Sequence, residues 1–307
     1  MSSNKFRNYK DSDRLDLVEK TYKEMLLKQN LHYVKNKKYK CKRFCKNKYD
    51  LWDLLEKLNT IYDDSDPDTE ASQIVHLYQT AESLKLRYFN DNKIKNDISI
   101  KNLFTKEEWE NLPDEYKEKY NTTLDKFYKF DDWDWLILIG FIHDLGKIML
   151  LENFGGLPQW SVVGDTFPIC CNLDPNYVFY DKGYHLDNKD LNKNIYEIKC
   201  GFDKMYFSWG HDEYLASKLE VNKTNLPKEA IYLIRYHSFY SWHTPRDGNR
   251  GYTIFANEKD WEMLPLLKLL QKSDLYSKCN SVPNFDMIKN SYDILLNKYI
   301  NNCEILL

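Results

Sequence analysis

The segment Trp133–Leu150, WDWLILIGFIHDLGKIML, sets a histidine, an aspartate and a lysine into an almost unbroken apolar run. Burying an ionised group is costly unless it is paired or bound to a metal. An adjacent His143-Asp144 pair offers a neutral nitrogen ligand and a carboxylate able to bridge two cations. Read as one helix, the segment stacks Leu136, Gly140, His143 and Lys147 at steps of three and four, which predicts His143 and Lys147 on one face. The simplest alternative is a histidine and an aspartate that satisfy each other in the core.

Other polar residues lie on or beside apolar helical stripes in the same way. His76 flanks the Ile74, Leu77, Tyr78, Ala81, Leu84 stripe, and His211 opens a helix after Gly210. His237 lies on the Ala230/Ile234 face, and Asp274 follows Leu270 by four. Six such groups on five helices point to a shared purpose, because each one left unpaired would cost stability. A metal pair explains them together, since ligands converging from helices inside a bundle are an established way to build a dinuclear site. All six offer nitrogen or oxygen and none a thiolate, which favours Fe, Mn or Zn. His76, His143, Asp144 and Asp274 can surround one ion. His211, His237 and a bridging Asp144 can hold the other, which keeps open positions for substrate oxygens.

The elements that must position these residues read as mostly helical: an all-α fold in one domain, residues 1–307, with a minor extended segment near 160–180. Helical patterns cover Leu15–Asn30, Asp50–Tyr62, Ser72–Lys85, Ser208–Val221, Pro227–Tyr240 and Lys259–Lys278. Trp160–Ile169 and Tyr177–Tyr180 read as extended, with Gly164-Asp165 as a turn. Between the Ser72–Lys85 helix and the central segment, Leu86–Asp132 is rich in Lys, Asn, Asp and Glu, with a capping-box pattern at Thr105–Glu108. It is read as a polar, mobile surface excursion that carries no chemistry and that metal binding does not need.

Composition excludes more than it assigns. The net charge of −3 over 307 residues gives no global attraction to nucleic acid or membrane. Eight Lys/Arg between Lys35 and Lys48 form a basic strip with Tyr39, Phe44 and Tyr49, which is read as a solvated face rather than a nucleic-acid surface. No apolar run reaches 18 residues, no leader pattern opens the chain, and seven cysteines lack zinc-site spacing. These readings predict a cytoplasmic monomer with reduced thiols.

His143-Asp144-Leu145-Gly146-Lys147 is the signature of the HD-domain superfamily, and the fuller pattern resembles the inositol oxygenase family. The matching segments are FRNY (Phe6–Tyr9), SDPD (Ser65–Asp68), HLYQTAE (His76–Glu82), HDLGK, PQWSVVGDTFP (Pro158–Pro168), SWGHDEY (Ser208–Tyr214), IRYHSFYSWHT (Ile234–Thr244) and SDLYSKC (Ser273–Cys279). They run nearly the whole chain in order, apart from the excursion, which is longer than the family pattern. The resemblance implies an HD-domain-like helical bundle holding a mixed-valent Fe(II)/Fe(III) pair on the six residues above. It implies cleavage of myo-inositol between C1 and C6 by O2 to give D-glucuronate, without nicotinamide, flavin or haem. No Gly-rich dinucleotide fingerprint is present, which agrees. Lys147, with Asp144 a catalytic residue in this reading, would set its ammonium beside a metal-bound alkoxide; a salt bridge to a nearby acid is its alternative role. Arg7, Asp63, Asp64, Ser65, Gly164, Asp165, His237 and Ser238 would join Lys147 in holding the polyol, which needs many hydrogen-bond partners. The rival readings are a metal-dependent HD-type phosphohydrolase, a nucleic-acid-binding protein and an inactive scaffold.

Overall fold

The computed structural model describes residues 9, 12–43, 47–67, 72–90, 93–275 and 285–307. The architecture is mainly helical, with three small two-stranded antiparallel sheets among the described residues. One hydrophobic cluster runs from Val18 near the start to Ile305 near the end. At its centre lies the helix Trp135–Ile142, all eight residues of which are buried. Against it pack Gln73–Tyr88 and Glu258–Asp274, while His211–Asn222 and Lys228–Tyr236 pair beside them.

The central helix does not continue to Leu150 as its apolar run predicts. It closes at Ile142, Asp144 takes φ −92° and ψ 0°, and the chain winds on as a 3-10 helix over Leu145–Leu150. In a 3-10 helix residues three apart eclipse one another. Lys147 therefore stands over Asp144, not on the His143 face that α-helical spacing predicts. Helix Lys228–Tyr236 similarly ends before His237, and a separate short helix follows at Tyr240–His243.

The extended segment is smaller than the sequence suggests. Only Pro168–Ile169 forms a strand there, paired with Tyr206–Phe207, and Gln159–Ser161 is a 3-10 turn. The excursion differs most. It is not a loose polar loop: Ile100, Leu103, Phe104, Tyr120 and Leu124 are buried in the common cluster. Its capping box forms as predicted, with the Thr105 hydroxyl accepting the Glu108 N–H and the Glu108 carboxylate accepting that of Thr105. Part of the basic strip packs against acids of the body. On helix Leu31–Arg43, Lys38 lies 3.1 Å from Glu213, and beyond it Lys48 lies 3.2 Å from Glu304. With Lys42, 3.9 Å from Glu220, these are three of the strip's eight cations, and each meets an acid of the body.

A glycine lets the two central helices touch. A Cβ on Gly140 would fall 2.6 Å from Leu84 Cδ1 and 3.2 Å from Ala81 Cα, which is backbone that cannot swing aside. We expect Gly140→Val to cost about 1–3 kcal/mol, the range typical of an overpacked core, in urea unfolding; an unchanged midpoint would contradict this packing.

Candidate metal centre

The two oxygens of Asp144 face two different sets of ligand atoms. Oδ1 lies 3.0 Å from His211 Nε2 and 3.5 Å from His237 Nε2. Oδ2 lies 3.7 Å from His76 Nε2 and 3.6 Å from His143 Nε2. Asp274 Oδ1 closes the second set, 2.8 Å from His76 Nε2 and 3.4 Å from His143 Nε2. The six residues singled out in the sequence thus converge on one buried carboxylate, and two groups of three offer atoms within 4.8 Å of one another.

The orientation of the rings suits cation binding. Nδ1 of His143, His211 and His237 lies 3.0, 2.7 and 2.7 Å from the carbonyl oxygens of Gly140, Val162 and Ile234. A carbonyl can only accept, so these nitrogens carry hydrogen, and in the neutral ring it is the bare Nε2 that turns inward. His211 Nε2 and His237 Nε2 stand 3.1 Å apart. Two lone pairs at that distance repel unless a positive charge is shared between them. Donor set and tautomers therefore fit a pair of borderline or hard cations. His76 differs, because its Nδ1 is buried with no hydrogen-bond partner among the described residues.

Charge around the centre follows from burial and pairing. Burial works against ionised Asp144 and Asp274, but both carboxylates are held well below their usual range, Asp144 chiefly by Lys147 and His143, Asp274 by hydrogen bonds from His143 and His76. Burial drives His237 below the ordinary histidine range, which favours its neutral, ligand-ready form. For His143 the same burial is outweighed by Asp144 and Asp274. The Lys147 ammonium, likewise desolvated, is kept above the usual lysine range by Asp144 and Asp63.

Lys147 makes the salt bridges that were its alternative role, at 2.8 Å to Asp144 Oδ2 and 2.7 Å to Asp63 Oδ2, and it donates to Gln73 Oε1 at 3.0 Å. It nonetheless lines the pocket over the centre, so the ion pairs aim it there. Asp63 is fully engaged, since its other oxygen accepts the Ser65 N–H and hydroxyl at 2.8 and 2.5 Å. With burial opposing it, Lys147 and Ser65 bring Asp63 down to about 2.

Most of the residues expected to hold a polyol also reach this pocket: Asp63, Ser65, Gly164, Asp165, His237 and Ser238 line it. Asp64 does not; its carboxylate faces Arg14 at 3.9 Å, outside the lining. Arg7 lies outside the described residues. Sequence reading missed Gln73, Tyr9, Tyr22 and Tyr240, which line the pocket as well. Tyr22 was legible only as a core residue of its amphipathic helix, yet its hydroxyl donates to Asp165 Oδ1 at 2.8 Å. No spacing signal marks Gln73.

Distant parts of the chain fix the histidines. Gln29, at the end of helix Leu15–Lys28, is fully buried and grips Trp209 from both sides, accepting its N–H at 2.9 Å and donating to its carbonyl at 2.7 Å. Two residues on, His211 begins its helix. His243, also fully buried, holds the His237 carbonyl through Nε2 at 2.8 Å.

The comparisons with known proteins agree with this geometry. A family model described as "Myo-inositol oxygenase" matches residues 15–103 and 122–306. This chain belongs to the myo-inositol oxygenase family. It is 35% identical to the inositol oxygenase of Danio rerio over 96% of this chain and 90% of that protein. The figures for the inositol oxygenase of Homo sapiens are 35%, 96% and 88%, and for that of Dictyostelium discoideum 36%, 97% and 88%. Within this myo-inositol oxygenase fold, Gly146 of the HDLGK motif has a steric reason. A Cβ there would lie 1.9 Å from the carbonyl oxygen of His211. Gly146→Ala must displace backbone at a ligand, and metal affinity should fall at least ~10-fold, as when the support of a ligand is lost. Iron titration alongside circular dichroism checks this; full-affinity binding would show that the contact does not matter.

Proposed function

We propose that this chain cleaves the myo-inositol ring between C1 and C6 with O2, giving D-glucuronate, at a centre of two irons. The observation that carries the reading is the single Asp144 carboxylate facing a histidine set on each oxygen, in a chain that matches inositol oxygenases along nearly its whole length. His76, His143, Asp144 and Asp274 would hold one iron; His211, His237 and Asp144 would hold the other. When bound, the irons supply Lewis acidity toward substrate oxygens and the redox change that O2 chemistry requires.

The chain's own groups then act on the polyol. Lys147 keeps its proton at Nζ, held there by Asp63 and Asp144, so it serves as a cationic donor rather than a base. Beside a polyol oxygen it would favour the deprotonated form. Asp165, Ser65 and Ser238 line the same pocket and offer hydrogen bonds to the remaining hydroxyls. A pocket so rich in polar groups rewards a ligand with a hydroxyl on every carbon, because each group left unpaired costs affinity.

The phosphohydrolase reading finds no support in this lining. Among the described residues around the pocket, Lys147 is the lone Lys or Arg, and two carboxylates already occupy it. Asp63, Asp66, Asp144, Asp165 and Asp274 surround the space with acid, which suits cations and hydroxyls rather than a phosphate.

Oxygen uptake by iron-loaded protein with myo-inositol, with glucuronate assayed in the same vessel, tests the function. The expected result is one O2 consumed per glucuronate; release of phosphate from nucleotides without oxygen uptake would assign the site to hydrolysis instead. Asp144→Ala should abolish activity and the binding of both irons, and retained turnover would overturn the bridging role. Lys147→Ala leaves Asp63 buried and unpaired, so it is best paired with Asp63→Asn. That double variant should retain iron yet lose activity by ~10²-fold or more, the scale of a lost electrostatic donor.

A further inference from the structure

The family match stops at residue 103 and resumes at 122, yet the stretch between them is bound to the helix that ends in Asp274. That helix, Glu258–Asp274, contains Pro265, which has no N–H. The carbonyl four residues earlier, on Trp261, is thereby deprived of its helical partner. The Tyr120 hydroxyl, fully buried, donates to that carbonyl. Tyr116 stacks on the Trp261 ring with centroids 4.4 Å apart and planes 16° from parallel.

One turn further along, Lys268 points into the interior with 3% of its surface exposed. Its partner is Glu108, also 3% exposed, at 2.7 Å. The other Glu108 oxygen is fixed by the Thr105 N–H at 2.8 Å, so the carboxylate cannot turn away. The Arg250 guanidinium sits beside the pair, over the same Phe104 ring that Lys268 faces. Without Glu108, buried positive charge would meet buried positive charge there. Asp274 lies six residues beyond Lys268, roughly 9 Å along the axis.

We propose that residues 104–121 form a splint for the Asp274 helix, with Tyr120 and Glu108 as positioning residues for the His76/His143/Asp274 half of the centre. This rests on the two-iron reading above. It also reverses the expectation that the excursion is dispensable: Tyr120 completes the helix at its proline, and Glu108 neutralises the one lysine buried in its wall.

The test compares iron-loaded protein with its Tyr120→Phe and Glu108→Gln variants. Hydrogen exchange is followed in residues 266–274 and, as a control, in 211–222, while a chelator extracts the iron. The expected result is exchange at least ~10-fold faster in 266–274 alone, with one of the two irons leaving ~10-fold faster. Glu108→Met combined with Lys268→Met should restore both readouts towards those of the unaltered protein, since an apolar pair can replace a buried ion pair. Unchanged exchange and iron retention in both single variants would overturn the proposal. So would equal acceleration in 211–222 with loss of both irons, which marks a general structural role. Unaltered protein that binds no iron would defeat the two-iron reading, and the exchange comparison alone would then decide for or against the splint.

Discussion

One carboxylate sets the terms for the rest of the molecule. Asp144 is buried, each of its oxygens faces a different pair of imidazoles, and Lys147 leans on one of them. Neither pair can move without losing its half of the shared group. The break after Ile142 follows from this requirement. In the 3-10 winding residues three apart eclipse one another, which stacks Lys147 directly over Asp144 and turns it away from His143. The same winding brings Gly146 against the carbonyl of His211, where no side chain fits.

The histidines are held by the groups behind them. Three of the four give Nδ1–H to a backbone carbonyl, which fixes both the tautomer and the ring plane. The peptides that carry those rings are fixed in turn. Gln29 clamps the turn before His211, and His243 clamps the carbonyl of His237. Thr166 bonds Asp212, next to His211, and donates its N–H to the Ser238 carbonyl at 2.9 Å, which ties the Gly164-Asp165 turn to both ligand-bearing elements. Buried polar groups of this kind are costly unless satisfied, and here they satisfy one another while setting the ligands.

The sequence reveals its ligands more readily than their surroundings. The six residues that converge around Asp144 and Asp274 were legible because ionisable groups on apolar stripes stand out against their neighbours, and the main helices because their stripes repeat at helical spacing. The break at Asp144 was not, because Leu145, Ile148 and Met149 continue the apolar run and composition does not record a change from i+4 to i+3 hydrogen bonding. The excursion misled for the opposite reason. Its many Lys, Asn and Glu residues conceal Phe104, Tyr116 and Tyr120, which pack on a helix some 150 residues later in the chain. Gln29 bears no signal at all, since an isolated glutamine at a helix end acquires meaning only from the peptide it meets 180 residues away. Arg7, expected at the pocket from family resemblance alone, lies outside the described residues.

The spread of the ligands along the chain also governs when the centre can exist. The Oδ2 side needs His76 from one end of the ligand series and Asp274 from the other. During synthesis the first of these emerges long before the second, and contacts so far apart in sequence form late. For much of its elongation the nascent chain therefore displays histidines and carboxylates that have no shared geometry. Assembly of the Oδ2 side belongs to the end of translation, and a chain truncated before the helix Glu258–Asp274 would lack Asp274 while still carrying the Asp144, His211 and His237 of the other side.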